Sequence, residues 1–321
     1  MSGESRYDFD PAAFDAVSTY PIAERHSKVD ASMFGRPSSS SDTVGQFIDK
    51  LPRILGADAL RDLVHALERA REANRPILWG LGGHVIKCGL GPVLIDLMEA
   101  GYATGFLMNG SAVIHDFEIG FHGSTSEDVE HELKTGRFGM ARETGQYVND
   151  AINTAAGLGL GVGEGVGRFM AENSGPLRFT HLDSSLLYAA YSRSVPVTAH
   201  LAIGTDIVHV HPAASGENLG KATMHDFRLL CTMVGRLEGG VYVNVGSAVV
   251  LPEVFLKALS VARNLGNTVD EITTANLDFI QHYRPRENVL KRPTARGGQS
   301  IALTGHHEIM LPLVAAALKR P

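Results

Sequence analysis

The feature that most constrains this chain is a repeated alternation. Short apolar runs, most of them closed by glycine or asparagine-glycine, are followed by longer stretches of helical periodicity. The first instance is the clearest. Residues 76–80 (Pro76-Ile77-Leu78-Trp79-Gly80) read as a buried strand. Gly82-Gly83 then turns the chain, and Leu94, Ile95, Leu97 and Met98 mark a helix that stops at Gly101. A second strand follows at 104–108, closed by Asn109-Gly110. Two strands joined through a helix form a parallel pair with a right-handed crossover. Similar signals at 196–202, 239–245, 270–275 and 300–304 predict four more strands, with helices over 221–237, 252–265 and 308–318. Upstream, Phe47, Leu51, Ile54 and Leu55, then Leu60, Leu63, Val64 and Leu67, make 43–74 helical. The stretch 111–194 reads as mostly helical, with a capped start at Ser126-Glu127-Asp128 and helices over 141–156 and 184–191. The alternation predicts the α/β class: a Rossmann-like, doubly wound, mainly parallel sheet with helices on both faces.

The chain has 321 residues, 44% hydrophobic and 20% charged, enough for one sizeable core. No repeat or second core is visible, so residues 45–321 are expected to form one domain and residues 1–44 an arm. Pro37-Ser38-Ser39-Ser40-Ser41 reads as a flexible linker. Tyr20-Pro21-Ile22-Ala23 and Met33-Phe34 could anchor the arm on another subunit, or the arm is a partly ordered tail. A formal charge of −6 argues against nucleic acid as the main partner. No apolar run of about 18 residues suits a membrane span, and the polar start, Met1 to Asp10, lacks a signal-peptide pattern. Cys88 and Cys231, both in apolar helical contexts, read as buried reduced thiols rather than a disulfide or metal site, which fits a cytoplasmic compartment.

The segment 157–167 matches the dinucleotide pattern G-x-G-x-x-G several times. That pattern needs a strand before its first glycine. A helix precedes it here, so a flexible loop or lid is expected instead. The Gly82-Gly83 turn has the right context, and its amides, with His84 and Lys87 close behind, could hold a pyrophosphate.

Four groups of residues could carry chemistry. His209 and His211 alternate on a probable strand after Asp206, and neutral imidazole is suited to proton removal near neutral pH. One of the pair could equally be a structural histidine. Together with His200 and Asp206 the two could instead supply zinc ligands. His115 and Glu118 share a helical face beyond the second strand, with Asp116 between them; a solvated helix start is the plainer alternative. Arg284, Arg286, Lys291, Arg292 and Arg296 form the one dense basic segment, read as a loop holding an anionic substrate group or as a salt-bridged interface. His306-His307-Glu308 ends the last strand.

The order of these segments resembles deoxyhypusine synthase over roughly residues 75–315. Gly82-Gly83-His84, the helix 91–100, the strand 105–108, Asn109-Gly110-Ser111 and His115-Asp116-Phe117-Glu118 are similar to the family's nucleotide-binding part. Leu186-Leu187-Tyr188-Ala189-Ala190-Tyr191 with Val195-Pro196-Val197, then Ala202-Ile203-Gly204-Thr205-Asp206, Val208-His209-Val210-His211, Asp226-Phe227-Arg228-Leu229-Leu230 and 308–314 continue the match. The resemblance implies a Rossmann-like fold and NAD as cofactor, held by Gly82, Gly83, His84, Asn109, Gly110 and Glu308. It also implies a homotetramer with active sites between subunits. His211 falls where the family keeps a proton acceptor, and Asp116 and Glu118 where it binds substrate amines. Arg286 and Arg296 lie in a loop that is more acidic in the family, which hints at a different substrate charge.

One departure matters. The family forms an imine on a lysine after a glycine-rich strand end, and Leu251 stands at that position, following Gly246-Ser247. Leucine has no nitrogen for a Schiff base. Lys257 lies more than a helical turn beyond it. The expectation is an NAD-binding enzyme acting on a small amine- or carboxylate-bearing substrate by oxidation or group transfer, without a lysine imine. The alternatives are a metal-dependent hydrolase using His209 and His211, and a non-catalytic nucleotide-binding homologue.

Overall fold

A computed structural model describes residues 6–175 and 177–319. Among these residues, β1 (Ile77–Leu81), β2 (Gly105–Asn109), β3 (Val197–His200), β4 (Val241–Val245), β5 (Thr273–Asp278) and β6 (Gln299–Thr304) form one sheet in the order β3-β2-β1-β4-β5-β6. Every neighbouring pair is parallel, including β1 with both β2 and β4. The six strands lie at the six sites expected from the sequence. The order reverses direction between β1 and β4, and that switch point is where open α/β sheets form a ligand crevice beyond the strands' carboxyl ends.

The helices are α1 (Val44–Lys50), α2 (Leu55–Glu72), α3 (Gly83–Lys87), α4 (Gly91–Glu99), α5 (Gly110–His122), α6 (Val129–Leu133), α7 (Arg142–Leu158), α8 (Val162–Asn173), α9 (Leu186–Ser192), α10 (Gly216–Gly235), α11 (Val250–Asn264), the single turn α12 (Tyr283–Pro285) and α13 (His307–Leu318). Strand alternation sorts side chains between two cores. Ile77, Trp79, Leu81, Phe106, Met108, Val241, Val243 and Val245 face one side with α2, α4 and α13. Leu78, Leu107 and Tyr242 face the other with α10 and α11. Both faces of the central strands are therefore covered, so β1, β2 and β4 are buried almost throughout, while the edge strand β6 alternates, with Ile301 and Leu303 buried and its other residues exposed.

Two local expectations change. The glycine-rich segment is not a lid. Residues 157–158 end α7 and Val162 begins α8, so most of the segment is helical. Its glycines allow close packing: a β-carbon on Gly163 would overlap the Val197 carbonyl, one on Gly165 the Ala155 side chain, and one on Gly161 the Asp226 carboxylate. Asp226 is buried there and accepts from the Gly163 and Ala199 amides at 3.1 and 2.9 Å, locking α8 to β3. The basic segment is not a loop, because α12 runs into π-helical Arg286–Lys291. Its cations meet carboxylates: Arg284 with Glu253, Lys291 and Arg292 with Glu287, and Arg296 with Asp270. The exposed Pro37–Ser41 stretch ends in a turn, with the Ser39 amide donating to Asp42 at 2.8 Å.

The arm reaches the body at its end, where the Arg36 amide donates to Lys50 O and the Arg53 amide to Met33 O. Upstream of that point Tyr7, Phe9, Phe14, Tyr20 and Ile22 are exposed. No helix of the described residues is long and apolar enough to cross a membrane.

Candidate functional site

The crevice is built from four strand ends. The Gly82 amide continues the sheet ladder to Val245 O, and the Gly246 amide continues it to Leu277 O. The β1 and β4 turns touch backbone to backbone, since a β-carbon on Gly82 would overlap the Gly246 carbonyl oxygen. Gly246 itself has φ +64°, a left-handed conformation natural to glycine. Below the turns Asn244 donates to Ser247 O at 2.9 Å and to Asn276 at 2.7 Å, tying β4 to β5. His307, from the first turn of α13, is 2% exposed, and neither ring nitrogen has a hydrogen-bond partner. Burial lowers its pKa, and the nearby Asp278 carboxylate, 3.7 Å away, opposes that only in part. At the mouth His84 packs edge-on against Phe279 and His307, while Phe279 stacks on His306. Glu308 and Cys88 lie beside His84. Cys88 is half-buried rather than fully buried, and desolvation together with Glu308 raises its pKa, so it stays a thiol.

A second cleft, of about 210 Å³, opens beyond β1, β2 and β3. Lys87, Ser111, His115, Glu118, Glu127 and Asp206 line it. Asn109 places α5 by accepting from the Ala112 amide at 2.9 Å, which projects His115 and Glu118 from one face. His115 Nδ1 is 2.7 Å from Thr125 Oγ1, and the Thr125 hydroxyl donates to Glu118. Thr144 donates to the other Glu118 oxygen at 2.9 Å. Burial would raise the Glu118 pKa, yet the bonds from His115, Thr125 and Thr144 outweigh it and hold the carboxyl below its usual value. Asp206 packs against Gly110, where any side chain would collide with it; burial raises its pKa, opposed by His209. Three carboxylates against one lysine give this cleft a negative bias.

The structure therefore brings together Gly82, Gly83, His84 and Glu308 in the crevice, and His115, Glu118 and Asp206 in the cleft. It does not bring the others there. Asp116 is fully buried and caps α9, accepting from Ser185 Oγ at 2.6 Å and from the Leu186 and Leu187 amides at 2.7 and 3.0 Å. With both oxygens so engaged inside the core, it presents no face to a substrate. His209 lies on a 3-10 turn, Ile207–Val210, not a strand, so the two histidines do not alternate across a sheet. His209 Nδ1 accepts from the Gly204 and Asp206 amides at 3.2 and 3.4 Å. His211 packs over Gly145 and accepts from the Ala213 amide at 3.1 Å. His200 is buried against Thr198, and desolvation lowers its pKa to about 4. Among the described residues these three histidines and Asp206 form no ligand set. Arg296 sits ahead of β6, at the amino end of the sheet, opposite the crevice. Arg286 is exposed on the π-helical segment. Leu251, at the lysine position, is fully buried in the α10–α11 core, and Lys257 is exposed and paired with Glu253.

Sequence reasoning missed the Thr125–Glu118–Thr144 network, for which no local signal exists. It also missed Cys88, whose i, i+4 spacing from His84 was available.

No protein-family model matches the sequence, and no curated protein matches it significantly. The fold does have solved counterparts. A conserved candidate LOR/SDH protein from Methanococcus maripaludis S2 superposes with a TM-score of 0.51 at 15% identity, over 83% of this chain and 70% of that one. AgrE, solved as a ternary complex with ornithine and NAD+, gives 0.52 at 16% identity over 81% of this chain. The chain spans 32% of the length of AgrE. A candidate deoxyhypusine synthase from Entamoeba histolytica gives 0.52 at 9% identity, over 88% of this chain and 95% of that one. The chain thus has the doubly wound α/β fold of these proteins, including that of the family its sequence resembles.

Proposed function

We propose that this protein is an NAD-binding enzyme of deoxyhypusine synthase-like fold that acts on a small amine-bearing substrate by oxidation or group transfer, without a lysine imine. The observation that carries the reading is the adjacency of two features at one sheet edge. A glycine-walled crevice at the β1/β4 switch point lies beside an acidic cleft at the ends of β1, β2 and β3. Two features of the chain support NAD in the crevice. The Gly82 and Gly246 turns pack backbone to backbone at the switch point, and His307 beside them keeps two buried nitrogens without partners. Gly82, Gly83, His84 and Glu308 would hold the dinucleotide there, with Asn109 and Gly110 at the neighbouring turn. Bound NAD would supply a hydride acceptor. Glu118, Glu127 and Asp206 would bind and orient a protonated amine, and His115, hydrogen-bonded to Thr125, would take up a proton at Nε2. This assignment moves the proton-accepting role from His211 and His209, which pack beside α7, to His115. The AgrE complex with ornithine and NAD+ supports an amine substrate by fold analogy alone.

The chain is also proposed to be a homo-oligomer, dimer or tetramer. The apolar side chains along residues 7–22 are exposed in the single chain and would be covered by a second copy.

A thermal-melt titration tests the central reading. NAD at 100 times its dissociation constant stabilises a folded-state binder by about 2.7 kcal/mol, a shift of several degrees. No shift at millimolar NAD overturns the assignment.

A further inference from the structure

We propose that His84, Cys88 and Glu308 form a binding site for one divalent transition-metal ion of the zinc class at the mouth of the crevice. The three offer imidazole nitrogen, thiol sulfur and carboxylate oxygen, with ligand atoms all within 4.8 Å of one another. Among the described residues no other group of His, Cys, Asp and Glu reaches that arrangement.

The geometry suits a tetrahedral ion. His84 Nε2 and Cys88 Sγ are 3.3 Å apart. Zinc bonds of about 2.3 Å to sulfur and about 2.0 Å to nitrogen, opened to the tetrahedral angle, place those atoms about 3.5 Å apart. His84 and Cys88 are four residues apart on α3 and its C-cap, so both side chains leave one face. Glu308 arrives from the first turn of α13, remote in sequence. Edge-on packing by Phe279 and His307 holds the His84 ring. A sulfur-nitrogen-oxygen donor set selects zinc or cobalt over magnesium or calcium, which take oxygen alone. Three protein ligands leave one position open, the arrangement of metal sites that engage a small molecule. In the metal-free rival the thiol simply hydrogen-bonds to its neighbours.

The site shares His84 and Glu308 with the proposed dinucleotide site, so the test contains no dinucleotide and its outcome is distinguishable from that of NAD binding. Purified full-length protein is stripped with chelator and titrated with Co²⁺ as the probe. The expected result is one equivalent bound, a sulfur-to-cobalt charge-transfer band in the near ultraviolet, and displacement by Zn²⁺. Cys88→Ser is expected to lose the band, Cys231→Ser to keep it, and His84→Ala and Glu308→Gln each to weaken binding by at least about tenfold. Circular dichroism establishes that each variant is folded. Absence of the band in folded wild-type protein overturns the proposal, as does a band that survives in Cys88→Ser or binding that both His84→Ala and Glu308→Gln leave unchanged.

Discussion

Gly82 and Gly246 meet backbone to backbone where β1 and β4 end, and a single β-carbon on Gly82 would occupy the space of the Gly246 carbonyl oxygen. The contact closes the ends of β1 and β4 onto each other. Gly82→Ala is therefore expected to push the two turns apart, at a cost of about 1–3 kcal/mol, the usual range for overpacking. It should also abolish the NAD-dependent rise in melting temperature. Urea denaturation and the melt titration read the two effects separately. A Gly82→Ala protein as stable as wild type contradicts the packing argument.

Asp226 should make stability fall with rising pH. Burial between α8 and β3 pushes its pKa from 3.8 to about 7, with only partial relief from the Ala199 and Gly163 amides. Between those values the folded chain keeps a proton that the unfolded chain has released. The stabilisation is full below pH 3.8 and is lost as the pH rises through about 7. Asp226→Asn retains an oxygen acceptor but cannot titrate. Urea melts from pH 5 to 8 should show wild type losing stability relative to the variant. Asp116, pushed up to about 6, and His200, pushed down to about 4, are common to both proteins and largely cancel in the difference. A flat difference profile refutes the assignment.

The acidic cleft should discriminate by charge. Glu118→Gln removes a carboxylate that its hydrogen-bond network keeps ionised. One of the Thr125 and Thr144 hydroxyls can still donate to the amide oxygen, and the other can turn to accept from the amide nitrogen, so the fold should persist. Affinity for a diamine probe, read by isothermal titration, is expected to drop at least about tenfold, the scale of a lost hydrogen bond to a charged group. Glu118→Gln with unchanged diamine affinity would remove the cleft from consideration.

Deleting residues 1–30 should lower the oligomeric state. The deletion spares Met33, Arg36 and the turn that joins the arm to α1. It removes Tyr7, Phe9, Phe14, Tyr20 and Ile22, each more than half exposed in the single chain. Light scattering after size exclusion should show smaller particles than wild type. Identical masses would mean that the arm has no part in assembly.

Much of the fold was legible in the sequence because its signals are local. The central strands β1, β2 and β4 are short, mostly apolar runs, and the turns at Gly82-Gly83 and Asn109-Gly110 need only their own backbone freedom. The glycines of 157–167 misled for a related reason. Locally they resemble a loop, but their purpose is to let α8 approach β3 and α9, and those partners lie elsewhere in the chain.

The site was legible only in outline. Sequence order placed Gly82, His84, Glu118 and Glu308 near strand ends, since every strand of a parallel sheet presents its carboxyl end at the same edge. Two carboxylates close in sequence then diverged: Glu118 reached the cleft, while Asp116 turned inward to cap α9. A helix rotates neighbouring side chains by about 100° per residue, so the core claims one and the solvent the other. Arg296 moved out of contention because the crossover from β5 carries it back to the opposite edge of the sheet.

The sequence by itself thus determined the parallel α/β architecture, the turn that walls the crevice and the absence of a lysine at position 251, because periodicity, glycine and side-chain chemistry are properties of short segments. Only the tertiary structure decided which polar groups share a site. The meeting of His84 and Cys88 with Glu308, and of Glu118 with Thr144, depends on how the crossovers stack distant segments at one edge of the sheet.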